Sequence, residues 1–446
     1  MALRIRRRHP DDREILRLAL PALVALVAEP LYILTDTAVV GHLGTPQLGG
    51  LAVAGTLLTT GFFLFNFLAY GTTAAVARSV GAGDPQAAAR GAVQSLWMAL
   101  ILGAGLTALG VLAAPAAVGL MGPSAAVRPN ALLYLRISAL GAPAVLSALV
   151  GVGYLRGLQD TATPLRIAVA ANVANLVLEV GLIFGLGFGL GASAWATVAA
   201  QYGAALVFAR FIVRHVAAAG VEWKPHLRAL RDLARVARDL LVRTGSLLLA
   251  LGITTAVAAR LGTVEVAAHQ VGFQLWSFLA YVLDAIAIAA QAMVGRLLGA
   301  GQVDAARSVA RRMVEWGVVF GCLVGAAIAL LRPVLAPLFS DDPTVTRLAG
   351  QVLWFVAALQ PVNAVVFVLD GVLIGAGDLR FLAGAMLGAL AVFLPAALAV
   401  AAFDLSLPAL WGALTLLMAA RLAAVAWRFA GGRWAVTGPG RAPSRS

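Results

Sequence analysis

Four polar side chains stand inside long apolar runs of the sequence, where a charge or an amide is costly. Asp36 lies near the end of the first run, in "YILTDTAVVGHLGT". A later run, "AANVANLVLEVG", carries Asn172, Asn175 and Glu179, and spacings of three and four residues put these three on one face of a helix. A charge at the centre of a membrane span costs about 2.5 to 3.5 kcal/mol on insertion scales. We therefore treat all four as candidate functional residues.

The two acids could bind a proton or a metal cation. Two carboxyl groups in one low-dielectric pocket cannot both ionise freely, so such a pair can take up and release a proton near neutral pH. With Asn172 and Asn175 nearby, Asp36 and Glu179 could instead offer an oxygen cage to Na⁺, because hard cations prefer oxygen ligands. In a purely structural alternative, Asp36 bonds a neighbouring helix and Glu179 pairs with Arg136.

These residues lie in predicted transmembrane helices, and the sequence as a whole indicates an all-α polytopic membrane protein. Of 446 residues, 61% are hydrophobic and 12% are charged, which exceeds what a water-soluble core requires. The apolar runs are continuous rather than alternating, which indicates helices and not a β-barrel. Runs long enough to cross about 30 Å of hydrocarbon predict twelve transmembrane helices, at 16–41, 50–78, 92–116, 129–155, 166–187, 192–213, 241–261, 266–294, 313–331, 346–373, 381–401 and 408–428.

The basic residues predict the orientation of these helices. If the N-terminus is cytoplasmic, 27 of the 33 Lys and Arg residues fall in cytoplasmic segments, as the positive-inside rule requires. An even number of helices then puts both termini in the cytoplasm, in a multi-pass protein of the cell inner (plasma) membrane. The net charge of +13 is explained by this topology and by anionic lipid, so no nucleic acid partner is expected.

The chain also contains an internal repeat, in which separate segments align at one constant offset. "TAVVGHLGT" at 37–45 aligns with "TAVAARLGT" at 255–263, and "RSVGAGDPQAA" at 78–88 aligns with "RLLGAGQVDAA" at 296–306. Each half contains six predicted helices, an even number, so the two halves have the same orientation and form a parallel repeat. Two such halves are typical of an alternating-access transporter.

The repeat defines the predicted domains. Helices 1 to 6 form an N-terminal lobe over 1–214, a cytoplasmic amphipathic linker covers 215–240, helices 7 to 12 form a C-terminal lobe over 241–428, and a cytoplasmic tail covers 429–446. The acidic site is not repeated, because the second half has Thr254, Leu390, Phe393 and Ala397 at the equivalent positions.

Three other acids within predicted spans are further candidates. Asp284 and Asp370 are secondary candidates in the second half, and Asp370, near a cytoplasmic helix end, could bond Arg380 or contribute to a gate. Glu29, beside Pro30, could form a hydrogen bond with backbone freed by the proline or line a cavity.

The sequence contains no aspartate-rich diphosphate site, no metal-binding His/Glu spacing and no phosphate-binding glycine loop, which argues against an enzyme.

Several motifs together resemble the multidrug and toxic compound extrusion (MATE) transporters, especially the branch called DNA-damage-inducible F. They are "DTAVVGHLGT", "GAGDPQAA", "RGLQDTATP", "AAHQVGFQLW" and "GAGD", in this order along the chain. The resemblance implies a V-shaped antiporter of two six-helix bundles. Such a protein expels amphipathic, often cationic compounds in exchange for inward H⁺ or Na⁺, acts as a monomer, and needs no cofactor other than the coupling ion.

The resemblance also implies roles for individual residues. In this family an acid on the first helix and an Asn/acid pair on the fifth form the cation site of the N-terminal lobe, and Asp36, Asn175 and Glu179 match them. A Tyr on the fourth helix and a Thr on the sixth join that network, for which Tyr134 and Thr197 are the matches.

Further features of the resemblance concern the first helix and the identity of the ion. Pro21 matches a position where the first helix bends when its acid is protonated. Glu179 stands where the family usually has Asp, and Leu149 and Val152 stand where some members have Asn. The missing amides weaken a Na⁺ cage more than a proton site, so the sequence favours H⁺.

A lipid-linked precursor flippase is the alternative function, since related transporters of similar helix count move such cargo. Flippases of this kind usually have a cationic cavity that holds a diphosphate. The strongest intramembrane cluster in this chain is acidic, so the sign of its charge favours export of cations.

Overall fold

The computed structural model describes residues 11–438, apart from the side chain of Glu29; the predicted tail beyond residue 438 is outside this range. The described residues are mostly helical and contain no β-strand, which confirms the predicted all-α class. The helices are α1 (Asp12–Gly41), α2 (Thr45–Phe63), α3 (Phe67–Gly81), α4 (Pro85–Leu112), α5 (Ala114–Leu120), α6 (Arg128–Ala139), α7 (Ala142–Gly157), α8 (Ala162–Val180), α9 (Leu190–Ala218), α10 (Leu227–Leu261), α11 (Thr263–Gly299), α12 (Val303–Leu335), α13 (Pro343–Gly375), α14 (Leu379–Ala402) and α15 (Leu407–Ala430).

The helices agree with the predicted spans. By length and composition, eleven helices of the described chain can cross a membrane, with α2 and α3 counted as one across a short 3₁₀ turn at Leu64–Asn66. The pair α6 and α7, bent by 50°, supplies a twelfth span. Most helices extend past their predicted ends, and α10 begins within the predicted linker. The helical backbone continues into polar segments, which hydropathy does not identify as part of a transmembrane span.

Local sequence fixes where several helices begin. Asp84 and Asp342 each precede a proline at the first helical position, where the missing N–H of proline costs no hydrogen bond. Their carboxylates cap the free N–H groups of the first turn, Asp84 that of Ala87 at 2.7 Å and Asp342 that of Thr344 at 2.7 Å. The hydrogen bond from the Thr344 backbone holds the pKa of the Asp342 carboxyl below its usual value.

The internal repeat of the sequence is also present in the backbone. Gly44 and Gly262, which occupy equivalent positions of the repeat, precede α2 and α11 with φ angles of 130° and 154°, a conformation that favours glycine. Gly153 on α7 and Gly371 on α13 are equivalent in the same way. Both lie where a Cβ atom would collide with a backbone oxygen of a neighbouring helix. Such small residues allow close packing of membrane helices.

The described chain divides into two compact units. The first unit comprises Leu20–Ala237, and the second comprises the described residues from Arg238 onward together with those up to Ala19. The sequence assigned all of the first helix to the N-terminal lobe, whereas the first two turns of α1 pack with the second unit. In the second unit α13 lies at the core and buries Val352, Leu353 and Val356.

Candidate functional site

Four helices of the first unit bring seven polar side chains together. We call this group the acidic cluster: Tyr32 and Asp36 on α1, Tyr134 on α6, Asn175 and Glu179 on α8, and Ser193 and Thr197 on α9. Six of the seven are buried, and Tyr32 is half-buried. The structure therefore places five of the predicted site residues in one group.

Asp36 and Glu179 face each other within the cluster. Ser193 donates a hydrogen bond to Asp36 Oδ1 at 3.1 Å, and the Tyr134 hydroxyl faces the same carboxyl group. Glu179 is 0% exposed, and in the described structure neither of its carboxyl oxygens accepts a hydrogen bond of good geometry. A buried anion without donors is strongly unfavourable, so Glu179 needs a proton or a bound cation.

Thr197 joins the other side chains of the cluster. Its hydroxyl accepts a hydrogen bond from Asn175 Nδ2 at 3.1 Å and is hydrogen-bonded to the Tyr32 hydroxyl at 3.1 Å. One amide N–H of Asn175 is used in this way, and the carbonyl oxygen of its side chain can accept a hydrogen bond or bind a cation. The contact between Tyr32 and Thr197 ties α1 to α9 beside Asp36.

Helical spacing explains how this cluster is assembled. Each of α1, α8 and α9 contributes two residues four positions apart, which lie on one helical face. Tyr32 and Ser193 were not among the residues predicted from the sequence, although Tyr32 precedes Asp36 by four residues and Ser193 precedes Thr197 by four. That spacing is the signal that would have identified them.

The remaining predicted residues of the first unit lie outside the cluster. Asn172 is half-buried, and in the described structure no hydrogen bond joins it to the cluster. Arg136 is exposed and forms no ion pair with Glu179, so the proposed structural pairing of these two is wrong. Pro21 lies within α1, four turns before Asp36 or about 22 Å along the helix. The side chain of Glu29 lies outside the described residues.

In the second unit, Asp370 belongs to a buried ion-pair group. Its Oδ2 atom accepts hydrogen bonds from Arg243 at 2.5 Å and from Arg421 at 2.8 Å. The predicted partner, Arg380, is exposed instead, so that prediction is wrong. Arg243 on α10 and Arg421 on α15 thus both contact Asp370 on α13. Asp284 is half-buried on α11.

The second unit has apolar side chains where the first unit has its acidic cluster. At the equivalent positions of the repeat, Asn175, Glu179 and Ser193 are replaced by fully buried side chains, which are Phe393, Ala397 and Trp411. Thr254 replaces Asp36 and bonds the carbonyl of its own helix at 2.8 Å. Nowhere in residues 11–438 do three His, Cys, Asp or Glu side chains form a group that could hold a metal ion.

A membrane protein of two repeated helical halves, with a buried polar cluster in one of them, has the architecture of a transporter. The MatE family model matches residues 21–181 and 247–399 of this chain, which is one segment in each half. The chain therefore belongs to the multidrug and toxic compound extrusion (MATE) family. Members of this family are transporters and not enzymes, as the sequence predicted, and coupling to a cation is typical of them.

Individual relatives agree with this assignment. DNA damage-inducible protein F of Escherichia coli (strain K12) is 34% identical over 434 residues, which cover 94% of this chain and 92% of the relative. Protein DETOXIFICATION 44, chloroplastic, of Arabidopsis thaliana is 34% identical over 93% of this chain and 81% of its own length. The fold is similar to a structure described as an outward-facing multidrug resistance MATE family transporter, with a TM-score of 0.83, 23% identity and coverage of 96% and 97% of the two chains.

Proposed function

We propose that this chain exports amphipathic, cationic small molecules in exchange for an inward flow of H⁺, with Na⁺ as the alternative coupling ion. The observation that carries the proposal is the buried pair of Asp36 and Glu179, which face each other, while neither carboxyl oxygen of Glu179 accepts a hydrogen bond of good geometry in the described structure. When ionised, this pair attracts any cation that can reach it. When protonated, it does not.

Competition for the acidic cluster would couple the two flows. A ligand shifts a conformational equilibrium only by its differential affinity for the two states. If a proton and a cationic substrate bind the same carboxyl groups, each lowers the affinity for the other, and this reciprocity is the coupling free energy. Exclusive occupation of one site is therefore sufficient for exchange.

The geometry of the cluster favours a proton over Na⁺. One proton on Glu179 would give this residue a donor directed at Asp36, which satisfies both facing carboxyl groups without any further ligand. A Na⁺ ion held by Asp36, Asn175 and Glu179 would have only a few protein oxygens, whereas hard cations of this kind take about six or more. Na⁺ remains the alternative that the transport assay below distinguishes.

In the proposed cycle, the cluster is ionised while the outward-facing transporter holds the substrate. Protonation of Asp36 and Glu179 removes their negative charge, and α1 bends in the segment that contains Pro21 and Pro30. The substrate is then released outward. Return of the transporter to the inward-facing state releases the protons into the cytoplasm.

We also propose that both termini face the cytoplasm, in an inner membrane of the kind that contains the bacterial relatives. The distribution of Lys and Arg supports this orientation, since 27 of 33 lie on the side assigned to the cytoplasm. This orientation also defines the direction of exchange. The linker and the start of α10 lie on the cytoplasmic side, and export requires the substrate to enter the transporter from that side.

The proposal is tested by efflux of a fluorescent cation from proteoliposomes under separate pH and Na⁺ gradients. We expect a pH gradient to drive export by the wild type. Export by Asp36→Asn should be no faster than the leak from protein-free liposomes. Asp232→Asn is the matched control, because Asp232 is an exposed acid of the same unit that pairs with Arg235 at the surface.

Three results would change the proposal. Unimpaired gradient-driven export by Asp36→Asn would remove Asp36 from the mechanism. Export driven by a Na⁺ gradient alone would identify Na⁺ as the coupling ion. A wild type that moves no cation but translocates a lipid-linked diphosphate would support the flippase alternative.

A further inference from the structure

Helix α1 is held at its two ends and is loosely packed between them. Ile15, Leu18, Ala19 and Ala22 are buried, with the spacing of one apolar helical face. Near the other end, Asp36 is buried in the acidic cluster, and Val40 is buried four residues later. From residue 23 to residue 35, each described side chain is half-buried or exposed. Few contacts therefore resist movement of this middle segment.

Strong polar contacts fix the start of α1 to the second unit. Asp12 accepts hydrogen bonds from Arg312 Nε at 2.7 Å, from Arg312 Nη2 at 2.9 Å and from the indole of Trp316 at 3.0 Å. Glu14 accepts one from Arg296 at 2.8 Å. We call these five residues the α1 anchor. The two-point pairing of a guanidinium with a carboxylate is among the stronger polar contacts in proteins and also fixes geometry.

The helix between the anchor and Asp36 contains the features that allow bending. Pro21 and Pro30 are both inside α1, and each proline removes one backbone hydrogen bond and favours a kink. The first two turns, up to Ala19, belong to the second unit, and the rest of the helix belongs to the first unit. A single helix thus runs from the anchor in one unit to the acidic cluster in the other.

We propose that the α1 anchor makes the second unit respond to protonation of Asp36. If the start of α1 were free, bending near the prolines would only swing that free end. With the start fixed on α11 and α12, the same bend has to displace the second unit or the acidic cluster. The anchor residues are positioning residues, since they contact neither the cluster nor a substrate. This inference rests on the proposed function.

The test compares two measurements on the double variant Asp12→Asn, Glu14→Gln. Binding of a fluorescent cation to purified protein in nanodiscs reports on the acidic cluster, and export from proteoliposomes under a pH gradient reports on the complete cycle. We expect export to fall by about tenfold, within the usual range of coupling free energies. Binding of the dye, and its dependence on pH, should stay as in the wild type.

Two further variants separate transmission from simple loss of an ion pair. Asp378→Asn removes a two-point pair with Arg428, formed at 2.6 Å and 3.1 Å in the second unit but not on α1, and should leave export unchanged. The single variant Asp12→Glu, in which Glu14 is intact, keeps the negative charge and should retain most of the export of the wild type.

The results that would overturn the inference are distinct from a failure of the proposed function. If the double variant exports like the wild type, or if dye binding falls as much as export, the anchor does not transmit bending. If Asp378→Asn lowers export as strongly, the effect belongs to any buried ion pair and the inference also fails. A failure of the proposed function would be visible in the wild type itself, as an absence of gradient-driven export.

Discussion

At the scale of residues, the acidic cluster depends on hydroxyl groups as well as on its two acids. Ser193 donates a hydrogen bond to Asp36, while Thr197 accepts one from Asn175 and is hydrogen-bonded to Tyr32. These neutral groups satisfy part of the hydrogen-bonding need of the cluster, but none of them makes a hydrogen bond of good geometry with the Glu179 carboxyl oxygens in the described structure. Under the proposed function, we therefore expect the hydrogen bonding of the acid on α8 to change most when a proton or cation binds.

Removal of the Tyr32 hydroxyl should weaken cation binding without removing an acid. Tyr32→Phe deletes the hydrogen bond to Thr197, and a net hydrogen bond contributes about 1 kcal/mol, so we expect about a fivefold loss in the apparent affinity of the coupling cation. The measurement is competition between that cation and a bound fluorescent dye. Tyr202→Phe is the control, since it deletes a hydrogen bond to the Leu140 carbonyl outside the cluster. Equal effects of the two substitutions would contradict a role for Tyr32.

The sequence was sufficient to find the residues that are energetically anomalous. Asp36, Asn175 and Glu179 stand out because polar groups in apolar runs are costly. Tyr and Ser are common in membrane helices, so Tyr32 and Ser193 are not energetically anomalous, and only their four-residue spacing from Asp36 and Thr197 distinguishes them. The partners of Asp370 could not be predicted, because Arg243 and Arg421 lie 127 and 51 residues away along the chain and only the packing of α10, α13 and α15 brings them together.

At the scale of elements, the two halves of the repeat differ in the continuity of their helices. In the first unit, α2 and α3 are separated by a 3₁₀ turn, and α6 and α7 are bent by 50°. In the second unit the equivalent segments are the single helices α11 and α13. Broken helices often accompany binding sites in transporters, and the unit with the breaks is the one that contains the acidic cluster. Hydropathy locates spans but does not reveal such breaks.

Close helix packing at α4 should be sensitive to one added methyl group. A Cβ atom on Gly103 would lie 2.5 Å from the Cα atom of Pro143, whereas one on Gly105, two residues later, would meet nothing within 4 Å. Gly103→Ala should therefore destabilise the protein by about 1 to 3 kcal/mol, as overpacking does. Gly105→Ala should be neutral or slightly stabilising. Thermal unfolding in detergent measures both, and equal midpoints would argue against this contact.

At the scale of the whole molecule, the parallel repeat and the charge distribution predict the topology. Fusion of alkaline phosphatase after Gly220, in the segment between α9 and α10, should give an inactive enzyme because that segment is assigned to the cytoplasm. Fusion after Gly122, between α5 and α6, should give an active one on the outer side. Activity at Gly220 together with inactivity at Gly122 would reverse the proposed orientation and with it the direction of export.

The apolar filling of the second unit by Phe393, Ala397 and Trp411 also limits the energy available to the proposed cycle. If the proposed cation chemistry is confined to Asp36 and Glu179, at most two protons enter per turnover. One proton exchanged for one univalent cation moves no net charge, so a tenfold difference in proton concentration supplies about 1.4 kcal/mol and voltage supplies nothing. A second proton would add about 1.4 kcal/mol more for the same tenfold difference and, because one net charge then moves inward, about 2.3 kcal/mol for each 100 mV of membrane potential. If the two facing carboxyl groups share a single proton, the substrate gradient that such an exporter can build is limited by the pH difference across the membrane and not by the membrane potential.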